Sequence, residues 1–175
     1  DIPPSWNVGL ALKPTANQRI FLDYQRINFS DVASVGNAFG PGSFVNNCAV
    51  QRLLGSTAAS EGCLGADGGP GFGWRDIDVV KFGAVYQASG SLTLRAGYGR
   101  SDNPVPASQT FLNILAPGVV RTHLTVGATY AWSANEELTL AAWHARRHNV
   151  EGSMPAPTRI GMSQNGFGLQ YSRKF

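Results

Sequence analysis

The sequence lacks any long apolar run. Nothing in its 175 residues approaches the roughly 20 consecutive apolar positions that a membrane-spanning helix needs. Charge is sparse too: Asp, Glu, Lys and Arg make up 14% of the chain, where an ordinary soluble domain carries about 25%. The net charge of +3 is mild and the basic residues are scattered, so a nucleic-acid footprint is missing and no nucleic-acid partner is expected. No leader opens the chain at DIPPSW, and the expectation is that processing removed one or that further sequence precedes it. Cysteine is limited to Cys48 and Cys63, in one Gly-rich segment. An even count in a loop suggests a disulfide and an oxidising compartment, with two free thiols as the alternative. Closing a loop of about 15 residues stabilises by roughly 3 kcal/mol in the chain-entropy picture. Together these scarcities exclude a helical membrane protein, but they leave open one that crosses a bilayer with strands.

What the chain does have is alternation. In THLTVGATYAW, Leu124, Val126, Ala128, Tyr130 and Trp132 share one parity, while His123, Thr125, Gly127, Thr129 and Ala131 share the other. After a polar turn, Leu138, Leu140 and Ala142 resume the apolar parity, with Thr139 and Ala141 between them. A period of two over about ten residues is a strand with one apolar face. The opposite face is too small and polar for a sandwich core. Tyr130 and Trp132 close the apolar face beside the turn, where an aromatic belt meets a membrane–water boundary.

The same pattern predicts strands over Trp6–Lys13, Arg19–Ser30, Val79–Gln87, from Leu92 through Tyr98, over the hairpin 122–143, and at the C-terminus. Outward positions are Trp6, Val8, Leu10 and Leu12; Ile20, Leu22 and Tyr24; Val80, Phe82, Ala84 and Tyr86; Leu92, Leu94, Ala96 and Tyr98; and finally Phe167, Leu169, Tyr171 and Phe175. Keeping both apolar faces on one side across 88–91 requires an odd number of turn residues. Between the strands, short turns alternate with long loops at about 31–75, 103–120 and 151–159, of which Ala49–Leu54 can form a helical turn. That asymmetry matches outer-membrane barrels, whose periplasmic turns are short and extracellular loops long. Arg173 interrupts the last apolar face, but at the periplasmic rim its side chain can reach water. The fold class expected is therefore all-β, a transmembrane antiparallel β-barrel. Seven strands are odd in number, and lipid tolerates no open sheet edge, so other strands are expected to come first.

The order of motifs resembles the FadL/TodX family of outer-membrane transporters for long-chain fatty acids and other hydrophobic compounds. The resemblance covers nearly the whole chain. It rests on Trp74-Arg-Asp, on Leu92-Thr-Leu-Arg-Ala-Gly-Tyr98 followed by Asn103-Pro-Val-Pro106, and on Ile114-Leu-Ala-Pro117. It continues through His123-Leu-Thr-Val-Gly127 to the end, Met162-Ser-Gln164 to Lys174-Phe175. It implies a fourteen-stranded barrel plugged by an N-terminal hatch, of which this chain is the C-terminal half. It also implies uptake of apolar substrates captured at an extracellular groove and released sideways into the membrane, and a Gram-negative outer-membrane location. The hatch, the lateral opening and much of the capture groove would then belong to the family's N-terminal half, a partner supplied from outside this sequence.

Candidate substrate contacts follow from parity. Lys81 and Arg95 are inward cations on adjacent strands and can hold a carboxylate, or can pair with carboxylates such as Asp23. Phe21, Ile27 and Phe29 share the inward parity, either lining a pocket or packing on a hatch. Phe111, Leu112, Ile114 and Leu115 can roof a substrate path or pack onto neighbouring loops. His144 and His148 in HARRH imitate a helical metal spacing, but on a strand they lie about 13 Å apart, so no metal is expected. Arg146 and Arg147 are expected to face opposite sides. The outward one sits at the outer rim, where its cost falls to about 0–1 kcal/mol and lipopolysaccharide phosphates, or water, are its partners. GPGFG at 69–73 lacks the strand and helix of a phosphate cradle, and no cofactor is expected. Two other classes remain in view, a barrel lipase using a serine with His123 or His144, and a general diffusion porin.

Overall fold

The computed structural model describes residues 2–55, 62–64, 66–153 and 155–175. The parts of the expected first and third loops at 56–61, 65 and 154 lie outside them. Among the described residues, seven strands form one antiparallel sheet in sequence order: β1 (Ser5–Thr15), β2 (Gln18–Ile27), β3 (Ile77–Gln87), β4 (Leu92–Ser101), β5 (Thr122–Ala131), β6 (Glu136–Gly152) and β7 (Thr158–Arg173). Strands of 10 residues or more meet the roughly 9–11 that a tilted strand needs to cross a bilayer. No helix is long and apolar enough to do so.

The register makes the alternation into two faces. Leu10 pairs with Leu22, Leu22 with Phe82, Phe82 with Tyr98, Tyr98 with Leu124, and Leu124 with His144. Leu140 then pairs with Leu169. Each outward parity thus meets the next across every ladder. These side chains are not covered by a second protein layer: Val126 is 60% exposed, Leu140 53% and Leu169 68%. A sandwich would bury them. The β3–β4 connection keeps the faces aligned because Gln87 pairs with Thr93 and Tyr86 with Leu94, so the closing pair encloses an odd number of residues, 88–92, as the parity requires. At the first turn Pro14, which lacks an N–H, coincides with a register slip between Leu12 and Thr15.

Three departures from the expected pattern bear on the site. β2 ends at Ile27, because the Ser30 amide and hydroxyl both donate to Asp76 (3.0 and 2.8 Å) and draw the chain into a turn. Those bonds, with the Arg26 guanidinium nearby, hold the Asp76 carboxyl below the usual carboxylate range. Phe29, expected on the strand, lies instead in the turn Phe29–Asp31 with its ring edge-on to Trp74 at 5.0 Å. The third loop shrinks to 153–157 because the ladder continues through Val150–Ile160 and Glu151–Arg159, residues whose polarity hides a strand. The helical turn expected near 49–54 is Val50–Leu53.

The third change is in β6. Ala145 pairs with Gln164 but His148 with Met162, so two residues, Arg146 and Arg147, stand opposite Ser163. Such a bulge reverses parity. Arg146 keeps the outward parity of His144, and Arg147 takes the outward parity of Asn149 and Glu151. Both arginines therefore belong to the apolar-face side, contrary to the expectation that they divide. His148 moves to the other face from His144.

β6 and β7 outrun the other strands, and the long loops pack against the extension. Val105, Val119 and Ile160 form a small core with Trp74, Val150 and Met162 around it. Cys48 and Cys63 are disulfide-bonded, with Cα atoms 4.9 Å apart, as the cysteine count suggested.

Candidate functional site

The inward face carries a recess of about 480 Å³ near the long-loop end of β2–β5. Its apolar floor is Ile27, Ile77 and Val79; Gly97 and Gly99 open the space, and Lys81, Ser101, His123 and Thr125 supply polar edges. The hollow follows from sequence: β4 places glycine at two successive inward positions, so nothing projects there. The Lys81 ammonium donates to Gln25 Oε1 at 3.3 Å, not to Asp23, although Asp23 is its neighbour in the ladder.

Arg95 lies outside this recess. It pairs with Val85 and Gly127, four residues from the Lys81 level, a separation of roughly 13 Å. Its guanidinium donates to the Thr129 hydroxyl at 2.6 Å, and Thr129 is within 2.8 Å of Thr139. The two expected cations are thus engaged on different strands and are not brought together. Phe21 lies over Gly83, with ring and Cβ at ordinary contact from where a side chain there would begin. Of the inward apolar candidates, Ile27 enters the recess, Phe21 sits toward the turn end, and Phe29 belongs to the loop packing.

The long loops form a cap. Trp74 Nε1 donates to Asn113 Oδ1 at 2.6 Å, and the Asn113 amide donates to the carbonyls of Phe72 and Gln109, both at 2.7 Å. Asn113 and Thr110 are fully buried. Phe39 joins the two loops: its amide donates to Gln109 Oε1 at 2.6 Å, and its ring stacks on Phe111. Gly73 adopts φ +65° and lies against the Gln109 side chain, a place for glycine on both counts. Phe111, Ile114 and Leu115 remain exposed, as do Leu53 and Leu54 on the neighbouring loop, while Leu112 is half-buried. The four expected roof residues are therefore in the cap, with its apolar surface open. Sequence reasoning missed Asn113 and the recess residues Ile77, Val79, Gly97, Gly99, His123 and Thr125. The paired inward glycines of β4 were a usable signal for the latter; nothing local marked Asn113.

His144 Nδ1 lies 2.6 Å from Asn165 Oδ1, and His123 shares the recess with Ser101 without a hydrogen bond between them. No group of three potential metal ligands gathers among the described residues.

The family model described as outer membrane protein transport protein (OMPP1/FadL/TodX) matches residues 1–171. The chain belongs to the FadL/TodX family. The membership places the protein in the bacterial outer membrane as part of a β-barrel, in a family of transport channels for hydrophobic compounds. No curated protein matches the chain. Among solved structures, the Pseudomonas putida toluene transporter TodX is 21% identical, with TM-score 0.57 over 98% of this chain and 34% of its own. A TodX monoaromatic hydrocarbon channel deltaS2S3 mutant is also 21% identical, with TM-score 0.61 over 99% of this chain and 36% of its own. A Pseudomonas aeruginosa FadL homologue is 10% identical, with TM-score 0.55, over 97% of this chain and 34% of its own. At these identities the structures bear on the fold alone. The chain spans about a third of the length of the structures it matches.

Proposed function

We propose that this chain supplies wall, cap and part of the interior site of a FadL/TodX-family channel for uptake of long-chain fatty acids or other hydrophobic compounds. The observation that carries the reading is an apolar-floored recess on the face that is otherwise polar and glycine-rich. Its volume of about 480 Å³ lies within the roughly 300–1,000 Å³ of small-molecule sites. The open apolar surface of Phe111, Ile114, Leu115, Leu53 and Leu54 at the same end of the sheet suits a first capture step. The long-loop end then faces outward and the short turns face the periplasm.

The edges of the sheet support a larger barrel. The free sides of β1 and β7 carry ladder groups without partners in this sheet, and hydrocarbon does not tolerate such edges. Further strands, to a total of about fourteen as the family resemblance implies, would close them, with a hatch plugging the lumen and substrate leaving sideways into the membrane.

Magnitudes favour shape over charge. Each buried methylene yields about 0.8 kcal/mol, so an acyl chain of about sixteen carbons outweighs one charged hydrogen bond of about 1.5–3 kcal/mol. Arg95→Ala, remote from the recess, is expected to weaken fatty-acid binding only several-fold in a fluorescent-ligand titration of the barrel; complete loss would reverse the ranking. The reading itself is tested by uptake of a labelled long-chain fatty acid and of a labelled monoaromatic hydrocarbon into cells with and without the protein. Accelerated uptake of at least one supports it. Steady ion conductance in a planar bilayer would indicate a porin, and hydrolysis of an ester reporter a barrel lipase.

A further inference from the structure

We propose that the outward face of β4–β7 binds one lipid molecule bearing a phosphomonoester headgroup, with its phosphate held by Arg100, Arg146 and Arg147. The proposal rests on the membrane orientation of the apolar face given above and adds a specific ligand to it. The bulge in β6 supplies the key step. It sets Arg146 and Arg147 on the same side, beside Thr122, which pairs with Arg100 in the β4–β5 ladder. These residues line one recess of about 300 Å³ at the sheet's rim, to which Arg121 and His148 contribute from the opposite parity.

The cluster is uncompensated. Among the described residues, none of its four arginines has a carboxylate within ion-pair distance. Their neighbours at the same end are neutralised: Arg26 pairs with Asp76 and Asp78 at 3.2 and 3.1 Å, and Arg159 with Glu151 at 3.4 Å. Arg121 and Arg147 each use Nε, on Ser101 O and Asn149 Oδ1 respectively, which leaves the terminal nitrogens of both forks available. Several like charges around one recess repel, and an anion with several acceptor oxygens removes that penalty. Guanidinium groups match phosphate oxygens two at a time.

Position selects a lipid rather than free phosphate. On β4, Arg100 stands one outward step beyond Tyr98; on β6, Arg146 stands one step beyond His144. The cluster therefore sits at the boundary where apolar side chains end and headgroups begin. Directly along the same strands runs a shallow groove of about 560 Å³, in which the small Ala128 and Ala142 lie between Val126, Leu140, Phe167 and Leu169. Ala142 is four residues from Arg146, roughly 13 Å along the strand. Acyl chains lying in the groove would carry their phosphate to the arginines.

The test uses the complete barrel in nanodiscs of phosphatidylethanolamine doped with lipid A, followed by native mass spectrometry. Lipid A should be retained by the wild type, and retention should fall at least tenfold in R100Q/R146Q/R147Q but not in R26Q. Dephosphorylated lipid A should not be retained, and excess inorganic phosphate should compete only weakly. Equal retention by the triple variant, or of the dephosphorylated lipid, overturns the site; full competition by inorganic phosphate overturns the lipid assignment. A spin label at Phe167→Cys separates this from the membrane orientation. Oxygen-accessible label together with wild-type lipid A retention by the triple variant defeats the proposal alone, whereas label without oxygen exposure defeats the orientation beneath it.

Discussion

Gly99→Phe is expected to cut uptake of hydrophobic compounds at least tenfold while leaving the barrel assembled. A Cβ at Gly99 would meet Lys81 Cγ at 3.9 Å and His123 Cβ at 4.0 Å, ordinary contacts, and phenylalanine is well suited to a strand. The ring has one open direction, into the recess floored by Ile27, Ile77 and Val79, and there it occupies the space proposed for substrate. Gly97 is a poorer place for the test, since a Cβ there would collide with the Thr125 hydroxyl at 2.5 Å and disturb the β4–β5 ladder. Gly99→Ala should stay within twofold of wild type. Labelled-substrate uptake, read alongside the heat-dependent gel shift of a folded barrel, distinguishes a blocked site from a failed fold. Normal uptake by Gly99→Phe would move the substrate path elsewhere.

Trp74→Ala should release the cap without opening the sheet. The indole packs on the Val105–Val119–Ile160 core and edge-on to Phe29, and it lies 3.0 Å from where a Cβ on Gly118 would stand. Trp74 is half-buried, so its truncation falls toward the lower end of the about 3–5 kcal/mol of a buried tryptophan, and here the loss also leaves the Asn113 Oδ1 acceptor without its donor. None of this touches the β-ladders, so the cost falls on docking of the loops. Because each 1.4 kcal/mol is about tenfold in an equilibrium constant, protease cleavage within 28–76 and 102–121 should accelerate a hundredfold or more, with the gel shift unchanged. Trp74→Phe keeps most of the packing and should accelerate cleavage only about tenfold. Cleavage at the wild-type rate in Trp74→Ala would mean that the loops are held by something else.

These two residues also mark where the sequence could and could not be read. The strands were legible because a period of two reports a face whatever its partner is; the outward series from Leu10 to Leu169 emerged intact from the ladder. Gly99 was legible as an inward position, but the hollow beside it depends on three neighbouring strands and on Ile77, which opens β3 ahead of the strand expected from Val79. Trp74 was visible as part of a motif, yet its partner Asn113 is 39 residues away, and no local pattern encodes such a pairing. The β6 bulge was hidden for a different reason. Parity along one strand assumes an unbroken ladder, and the slip between Ala145 and His148 exists only relative to β7. Two adjacent arginines in an otherwise alternating strand were the available sign. Phe29 failed similarly, because its side-chain parity was extrapolated past the point where Asp76 captures Ser30.

The most direct measurement is a spin-label scan along β5, placing one cysteine-linked label at each position from Leu124 to Tyr130 in the complete barrel in lipid. Oxygen, which concentrates in hydrocarbon, should broaden labels at 124, 126, 128 and 130, while a water-soluble nickel complex should reach those at 125, 127 and 129. A period-two exchange between the two reagents is the expected result. Equal access of the nickel complex to both sets, or protection of the even positions from oxygen, would mean that the leucine–valine–tyrosine face does not meet the bilayer.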